Sequence, residues 1–203
     1  MGRSPKFSTD QILDAAQSLL ASGGSSAATV VAIAEQLGAP SGSVYHRFAS
    51  RDLIIATLWV RTVRSFQRGY LEALKDPDRA AARVNAVRHV LRWSADNPDG
   101  TGLLLQYSRE RLLATWPDDL GEELRGLNDS VQLAITEFAA DWFGGLSAER
   151  IGRTRLALIE LPYAAVRQQA DGEPVADWVV DAVLAASSAV LGDRVAKPEE
   201  QKL

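Results

Sequence analysis

The chain has 203 residues, no cysteine and a net charge of −4, with 46% hydrophobic and 24% charged residues. That length can bury a hydrophobic core without a staple, and the missing cysteine excludes disulfides and thiolate metal sites and fits a reducing, cytoplasmic compartment. MGRSPKFSTDQ at the start lacks the apolar stretch of a signal peptide and no apolar run approaches a bilayer span, so a soluble, unprocessed protein is expected.

Alanine and leucine dominate, and no period-two apolar alternation bounded by turns occurs, which predicts an all-α chain of about nine helices. The first opens at Ser8-Thr9-Asp10, buries Ile12, Leu13, Ala16, Leu19 and Leu20 at helical spacing, and stops at Gly23-Gly24. A short second helix begins at Thr29, sets Val30, Ile33, Ala34 and Leu37 on one face, and ends at Gly38. After Ala39-Pro40 a third short helix carries SGSVYHRF, and a long fourth runs from about residue 52 to Asp76. The fifth is expected over 78–96, with Asn97-Pro98-Asp99-Gly100 as a breaker, and the sixth over GLLLQYSRERLLATW, ending at Pro117. A long helix over 119–143, with Leu127, Val131, Ile135, Phe138 and Trp142 as its stripe, then ends at Gly144-Gly145. The next starts at Ser147 and bends at Pro162, and the last runs from Pro174 to Leu191 before a polar, frayed tail.

The net charge hides a split. Residues 1–75 carry 8 Lys and Arg against 5 Asp and Glu, whereas residues 76–203 carry 14 against 21. A small basic reading head on an acidic body would show this asymmetry.

Two short helices joined by a three-residue turn, with another helix behind, form a helix-turn-helix, whose second helix presents its first residues to the DNA major groove. Ala39, Pro40, Ser41, Gly42 and Ser43 are all small, so the backbone can come close to phosphate. Tyr45, His46 and Arg47 supply hydroxyl, imidazole and guanidinium groups for gripping a nucleic-acid backbone, and Phe48 closes the apolar plug beneath.

The stretch TVVAIAEQLGAPSGSVYHRFASRDLI resembles the DNA-binding signature of the tetracycline-repressor (TetR) family. The matching positions are Thr29, Ile33-Ala34, Gly38, Gly42-Ser43-Val44-Tyr45, Phe48 and Arg51, and the match covers roughly residues 9–60. The resemblance implies that Thr29, Ser43, Tyr45, His46 and Arg51 bind phosphates and that Pro40, Ser41 and Gly42 meet base edges. Pro40 departs from the family's usual serine or threonine and donates no hydrogen bond, so readout there is apolar or falls to its neighbours. Arg3 and Lys6 would add arm contacts if ordered on DNA.

The resemblance further implies a helix-turn-helix domain over 1–51 and a ligand-binding and dimerisation domain over 52–203, linked by the helix over 52–76. It places an inducer cavity among helices four to eight, where Trp59, Phe66, Trp93, Tyr107, Phe138, Trp142 and Tyr163 would line it for a small hydrophobic or aromatic effector. Arg92, Gln106, Ser108, Gln132 and Gln168 are the polar groups available to one wall. The last two helices are apolar over more than one face and alanine-rich, which suits a homodimer reading a pseudo-palindromic operator. A ligand-released repressor is the expectation; a ligand-insensitive regulator or an activator would share every head feature.

No nucleophile elbow, phosphate loop or Ser-His-carboxylate motif occurs, so an all-helical enzyme or apolar-ligand carrier is the weaker alternative. With two histidines, at 46 and 89, no metal site and no cofactor are expected, and His89 in VRHVLRW reads as a surface or core-edge residue.

Overall fold

The computed structural model describes residues 7–108, 112, 114, 120–168 and 175–194, and the regular elements among them are helical. Arg3, Lys6, Pro117, Asp118, Pro174 and the tail from residue 195 lie outside the described residues. In chain order the helices are α1 (Thr9–Gly23), α2 (Val30–Gln36), α3 (Ser41–Tyr45), α4 (Arg51–Leu74), α5 (Arg79–Asp96), α6 (Pro98–Gln106), α7 (Gly121–Gly126), α8 (Asp129–Phe143), α9 (Ala148–Arg155), α10 (Leu161–Gln168) and α11 (Asp177–Leu191). A π-helical turn, Leu156–Glu160, joins α9 to α10. Packing groups the chain into two compact units, residues 1–65 with 97–127 and residues 66–96 with 128–203.

The first unit holds α1 to α3, the start of α4, α6 and α7. Its core takes Ile12, Leu13 and Ala16 from α1, Ile33 and Ala34 from α2, Val44 from α3, and Ile54, Leu58 and Trp59 from α4, with Leu103 and Leu124 joining them. Helices as short as α2 and α3 are unstable alone, so burial of side chains such as Ile33 and Val44, about 1.5–3 kcal/mol each, is what keeps them folded. Pro98, expected in a breaker, is instead the first residue of α6; its fixed φ suits a helix start, where the missing N–H has no intrahelical acceptor to lose. The helix expected to continue through Trp116 stops at Gln106, because Tyr107 turns to extended backbone (φ −119°, ψ 129°).

In the second unit the core is built from Tyr70, Leu91, Ile135, Phe138, Trp142, Leu158, Val166, Val183 and Leu191, among others. The single helix expected over 119–143 is two, α7 and α8, parted at Leu127-Asn128. Asn128 leaves helical geometry (φ −99°, ψ 1°) and its Oδ1 accepts from Gln67 Nε2 at 3.0 Å, a bond from a distant part of the sequence.

Pro162 acts on the backbone before it. An N–H at residue 162 would have bonded the Leu158 carbonyl, and proline has none. The chain widens there into the π turn, and the Tyr70 hydroxyl donates to Leu158 O at 3.1 Å. Burial pushes the Tyr70 pKa above its ordinary value, which keeps that hydroxyl a donor. Arg79 fastens three elements: its Nε and Nη2 donate to Asp141 Oδ2 at 3.0 and 2.7 Å, and its Nη1 to Leu74 O at 2.8 Å.

Candidate nucleic-acid interface

The geometry of the α2–α3 hairpin follows from local residue choices. Thr29 stands in extended backbone as the N-cap of α2, and its Oγ1 accepts from Ala32 N at 3.1 Å. That uses the hydroxyl as an acceptor and leaves its proton for an outside acceptor such as a phosphate oxygen. Gly38, at φ +61°, takes the left-handed turn that a side chain would resist. Pro40 is the N-cap of α3 (φ −61°, ψ 137°), one place before the helix rather than within its first turn, and it supplies no side-chain cap. The first N–H groups of α3, at Ser41 and Gly42, therefore gain no acceptor from the cap side chain.

Alternation along α3 separates anchor from contact. Val44 and Phe48 are 1% and 5% exposed and sit in the core of the first unit. Gly42, Ser43, Tyr45, His46 and Arg47 are exposed and Ser41 is partly so; Tyr45 exposes half of its surface. The short helix and the turn after it thus carry two apolar plugs inward and a set of donors outward. Arg47 also reaches back to α1, with Nη1 3.2 Å from Thr9 Oγ1.

Arg51 has a different setting from the others. Its Nε donates to Ala28 O at 2.8 Å, its Nη2 donates to Ser25 O, and its Nη1 lies 3.4 Å from Asp52. The guanidinium ties the start of α4 to the loop that delivers Thr29. The sequence motif marks a basic residue at this position, but the two carbonyl acceptors come from residues more than twenty positions upstream and leave no sequence signal.

The aromatic candidates for an effector wall separate into groups. Trp59 is buried in the core of the first unit, and Tyr107 packs against that core. In the second unit Phe66 meets Trp93 edge-on with centroids 5.4 Å apart, and Phe138 stacks on Trp142 at 5.6 Å. Tyr163 is exposed. Trp142 Nε1 is buried without a hydrogen-bond acceptor among the described residues. A cleft of about 550 Å³ between α5 and α11 is lined by Arg88, Leu91, Arg92, Val180, Asp177 and Asp181, with two further residues. Arg92 is the expected wall residue found there; none of the aromatic candidates lines it. Sequence reasoning did not single out Arg79, or the partners of Tyr70, because both depend on contacts across the unit.

Among the described residues no helix is long and apolar enough to cross a membrane, and no group of acidic, histidine or cysteine residues is placed to hold a metal ion.

Residues 12–57 match the family described as bacterial regulatory proteins, tetR family. No curated protein matches the sequence. Among solved structures, a transcriptional regulator from Rhodococcus sp. Rha1 is similar at 20% identity and a TM-score of 0.70, over 91% of this chain and 96% of its own. The fatty acid degradation regulator FadR from Bacillus halodurans and the ketosteroid transcriptional regulator KstR2 of Mycobacterium tuberculosis are each similar at 17% identity and a TM-score of 0.65, over 95% of this chain and 97% of theirs. At such identities the likeness is one of fold, and those neighbours are transcription regulators rather than enzymes. The family match over residues 12–57 covers the helix-turn-helix, which is therefore a DNA-binding head of the kind found in bacterial regulatory proteins of the tetR family, on a chain whose helical fold is shared with such regulators along most of its length.

Proposed function

We propose that this regulator is a cytoplasmic homodimeric repressor, released from a pseudo-palindromic operator by a small hydrophobic or aromatic effector. Residues 1–51 read the DNA, and residues 52–203 bind effector and partner, with the helix from residue 52 linking them. The observation that carries the DNA-contact assignment is the inward placement of Val44 and Phe48 against the outward placement of Ser43, Tyr45 and His46. Thr29, Ser43, Tyr45, His46 and Arg47 hold phosphates, while Pro40, Ser41 and Gly42 approach base edges. Arg51 contributes chiefly by holding the loop that presents Thr29.

Dimer formation is supported by large apolar side chains left exposed on the last helices: Trp178 at 72%, Leu156 at 44% and Tyr163 at 40%. Two heads would then meet half-sites about one DNA turn, roughly 34 Å, apart. The effector reading is supported by the paired aromatics of the second unit and by the unpartnered donor of Trp142, since a buried polar group without an acceptor is a place where a ligand group can supply one. FadR and KstR2 are named for fatty-acid and ketosteroid regulation, which agrees with an apolar effector here. Release requires the effector to bind the DNA-free arrangement more tightly than the DNA-bound one, because equal affinity would shift nothing.

The test is selection of fragments from sheared genomic DNA by the wild-type dimer, followed by salt titration of a selected fragment. With several phosphate contacts, affinity should fall steeply, on the order of a thousandfold or more between about 50 and 200 mM salt. His46→Ala should weaken binding a few-fold on every selected fragment and shallow the salt slope by about one. Unchanged affinity for that variant in a gel-shift series removes His46 from the contact set.

A further inference from the structure

The α4–α5 crossing in the second unit holds a contact that nothing in the DNA-reading motif accounts for. Gly69 lies inside α4, in its last third, and glycine within a helix costs about 1 kcal/mol relative to alanine. A Cβ there would stand 2.3 Å from His89 Cε1 and 2.8 Å from Nδ1, so the imidazole occupies the space a side chain would take. His89 Nε2 is 2.9 Å from Phe66 O, and because a carbonyl only accepts, Nε2 carries the proton. Phe66 and Tyr70 flank the ring at centroid distances of 5.3 and 6.4 Å, and Trp93 closes on Phe66 at 5.4 Å. His89 of α5 is therefore seated in a notch of α4, held by one backbone hydrogen bond and enclosed by aromatic faces. His89 is half-buried, as a core-edge residue is, and there it forms a wedge between two helices.

We infer that His89 is a positioning residue, which fixes the register of α4 against α5 and through α4 sets the operator affinity of the head. α4 is unbroken from Arg51 to Leu74; its residues to Ser65 pack in the first unit, and from Phe66, the acceptor of the His89 bond, in the second. The notch thus lies at the first turns of α4 within the second unit. A displacement of α4 there is carried along a continuous helix, which is a rigid element. Trading a stabilising alanine for glycine at residue 69 and filling the notch with a donor defines one register where an apolar pair would tolerate several. The inference rests on the DNA-regulator reading and adds to it the residue that holds the connecting helix in its DNA-competent place.

The test uses the full-length dimer and a fragment selected by the wild-type chain, at a temperature well below every variant's thermal midpoint. His89→Ala should lower affinity about tenfold while circular dichroism shows the variant folded. Gly69→Ala, which evicts the ring, should lower it comparably, and the double variant should be no weaker than His89→Ala alone, because both changes remove the same seat. His89→Gln, which retains a donor for Phe66 O, should recover part of the loss. A merely structural role would move thermal midpoints and leave the folded protein's affinity unchanged. Wild-type affinity in His89→Ala, or additive losses in the double variant, overturns the positioning role. Failure of the wild-type chain to select any fragment overturns the DNA-contact reading and this role with it.

Discussion

On α3 and the turn that follows it the exposed groups are Ser43, Tyr45, His46 and Arg47, all able to donate hydrogen bonds. On α10 and α11 the large exposed groups are Tyr163 and Trp178, and Leu156 stands exposed just before them. Both regions keep their buried stripes, Val44 and Phe48 in one and Val166, Val183 and Leu191 in the other. What differs is the outward chemistry. Polar donors on a small-residue helix suit a hydrated, charged polymer, whose affinity is screened by salt. A bare indole on an alanine-rich helix suits a dry partner, where affinity comes from removing apolar surface from water. The same folding rule, apolar residues inward at helical spacing, therefore leaves two surfaces of different chemistry.

The strongest way to separate them is Val44→Asp. An unpaired carboxylate at a position 1% exposed costs about 3–5 kcal/mol. DNA binding should be abolished in a gel shift, while sedimentation still reports the dimer, since the apolar groups of α10 and α11 are untouched. Loss of the dimer in this variant would mean that the two surfaces are not independent.

Trp178→Glu attacks the other surface. Truncating a central aromatic anchor typically costs at least about 2 kcal/mol, roughly a thirtyfold weaker dimer, and an introduced charge adds to that. Sedimentation should show monomer at concentrations where the wild-type chain is dimeric, and operator affinity should fall because one head alone engages one half-site. A dimer of unchanged strength would place the interface elsewhere.

The two regions were also unequally legible. At the α2–α3 hairpin each position answers to a local rule: Thr29 caps, Gly38 turns, Val44 and Phe48 plug, and Tyr45 and His46 point out. Local rules can be read along a sequence. In the second unit the decisive contacts join residues far apart: Tyr70 with Leu158 O, Arg79 with Asp141, Gln67 with Asn128, and His89 with Gly69. Pro162 foretold a disturbance in its helix but not that Tyr70 would answer the freed carbonyl. The break in the run 119–143 had local signals, Gly126 and the Asn128-Asp129-Ser130 cluster, whereas the Gln67 partner of Asn128, 61 positions away, leaves none.

Arg51 sharpens the comparison within the head. Arg51→Ala removes the donors to Ala28 O and Ser25 O, and hydrogen bonds from a charged group contribute about 1.5–3 kcal/mol net. Thermal stability should fall accordingly, and affinity with it as the Thr29 loop loosens, while the salt slope stays that of the wild type. A slope reduced by about one, without loss of stability, would show that the guanidinium holds phosphate rather than the loop.

The smallest effect is a pH dependence of stability at His89. Burial lowers the His89 pKa more than its bond to Phe66 O raises it, so the folded chain favours neutral imidazole. Below the unfolded value of about 6.5 the unfolded chain binds more protons than the folded one, and stability rises with pH across that window. The contribution is fully present above about pH 6.5 and is lost as the pH falls through the folded-state pKa. His89→Gln has no proton to gain there. The stability difference between wild type and His89→Gln, measured by urea unfolding, should therefore narrow between about pH 7.5 and about pH 5.5. A difference that stays constant would mean that the imidazole in the α4 notch is as well solvated as in the unfolded chain, and the enclosure by Phe66, Tyr70 and Trp93 would then be looser than the packed rings indicate.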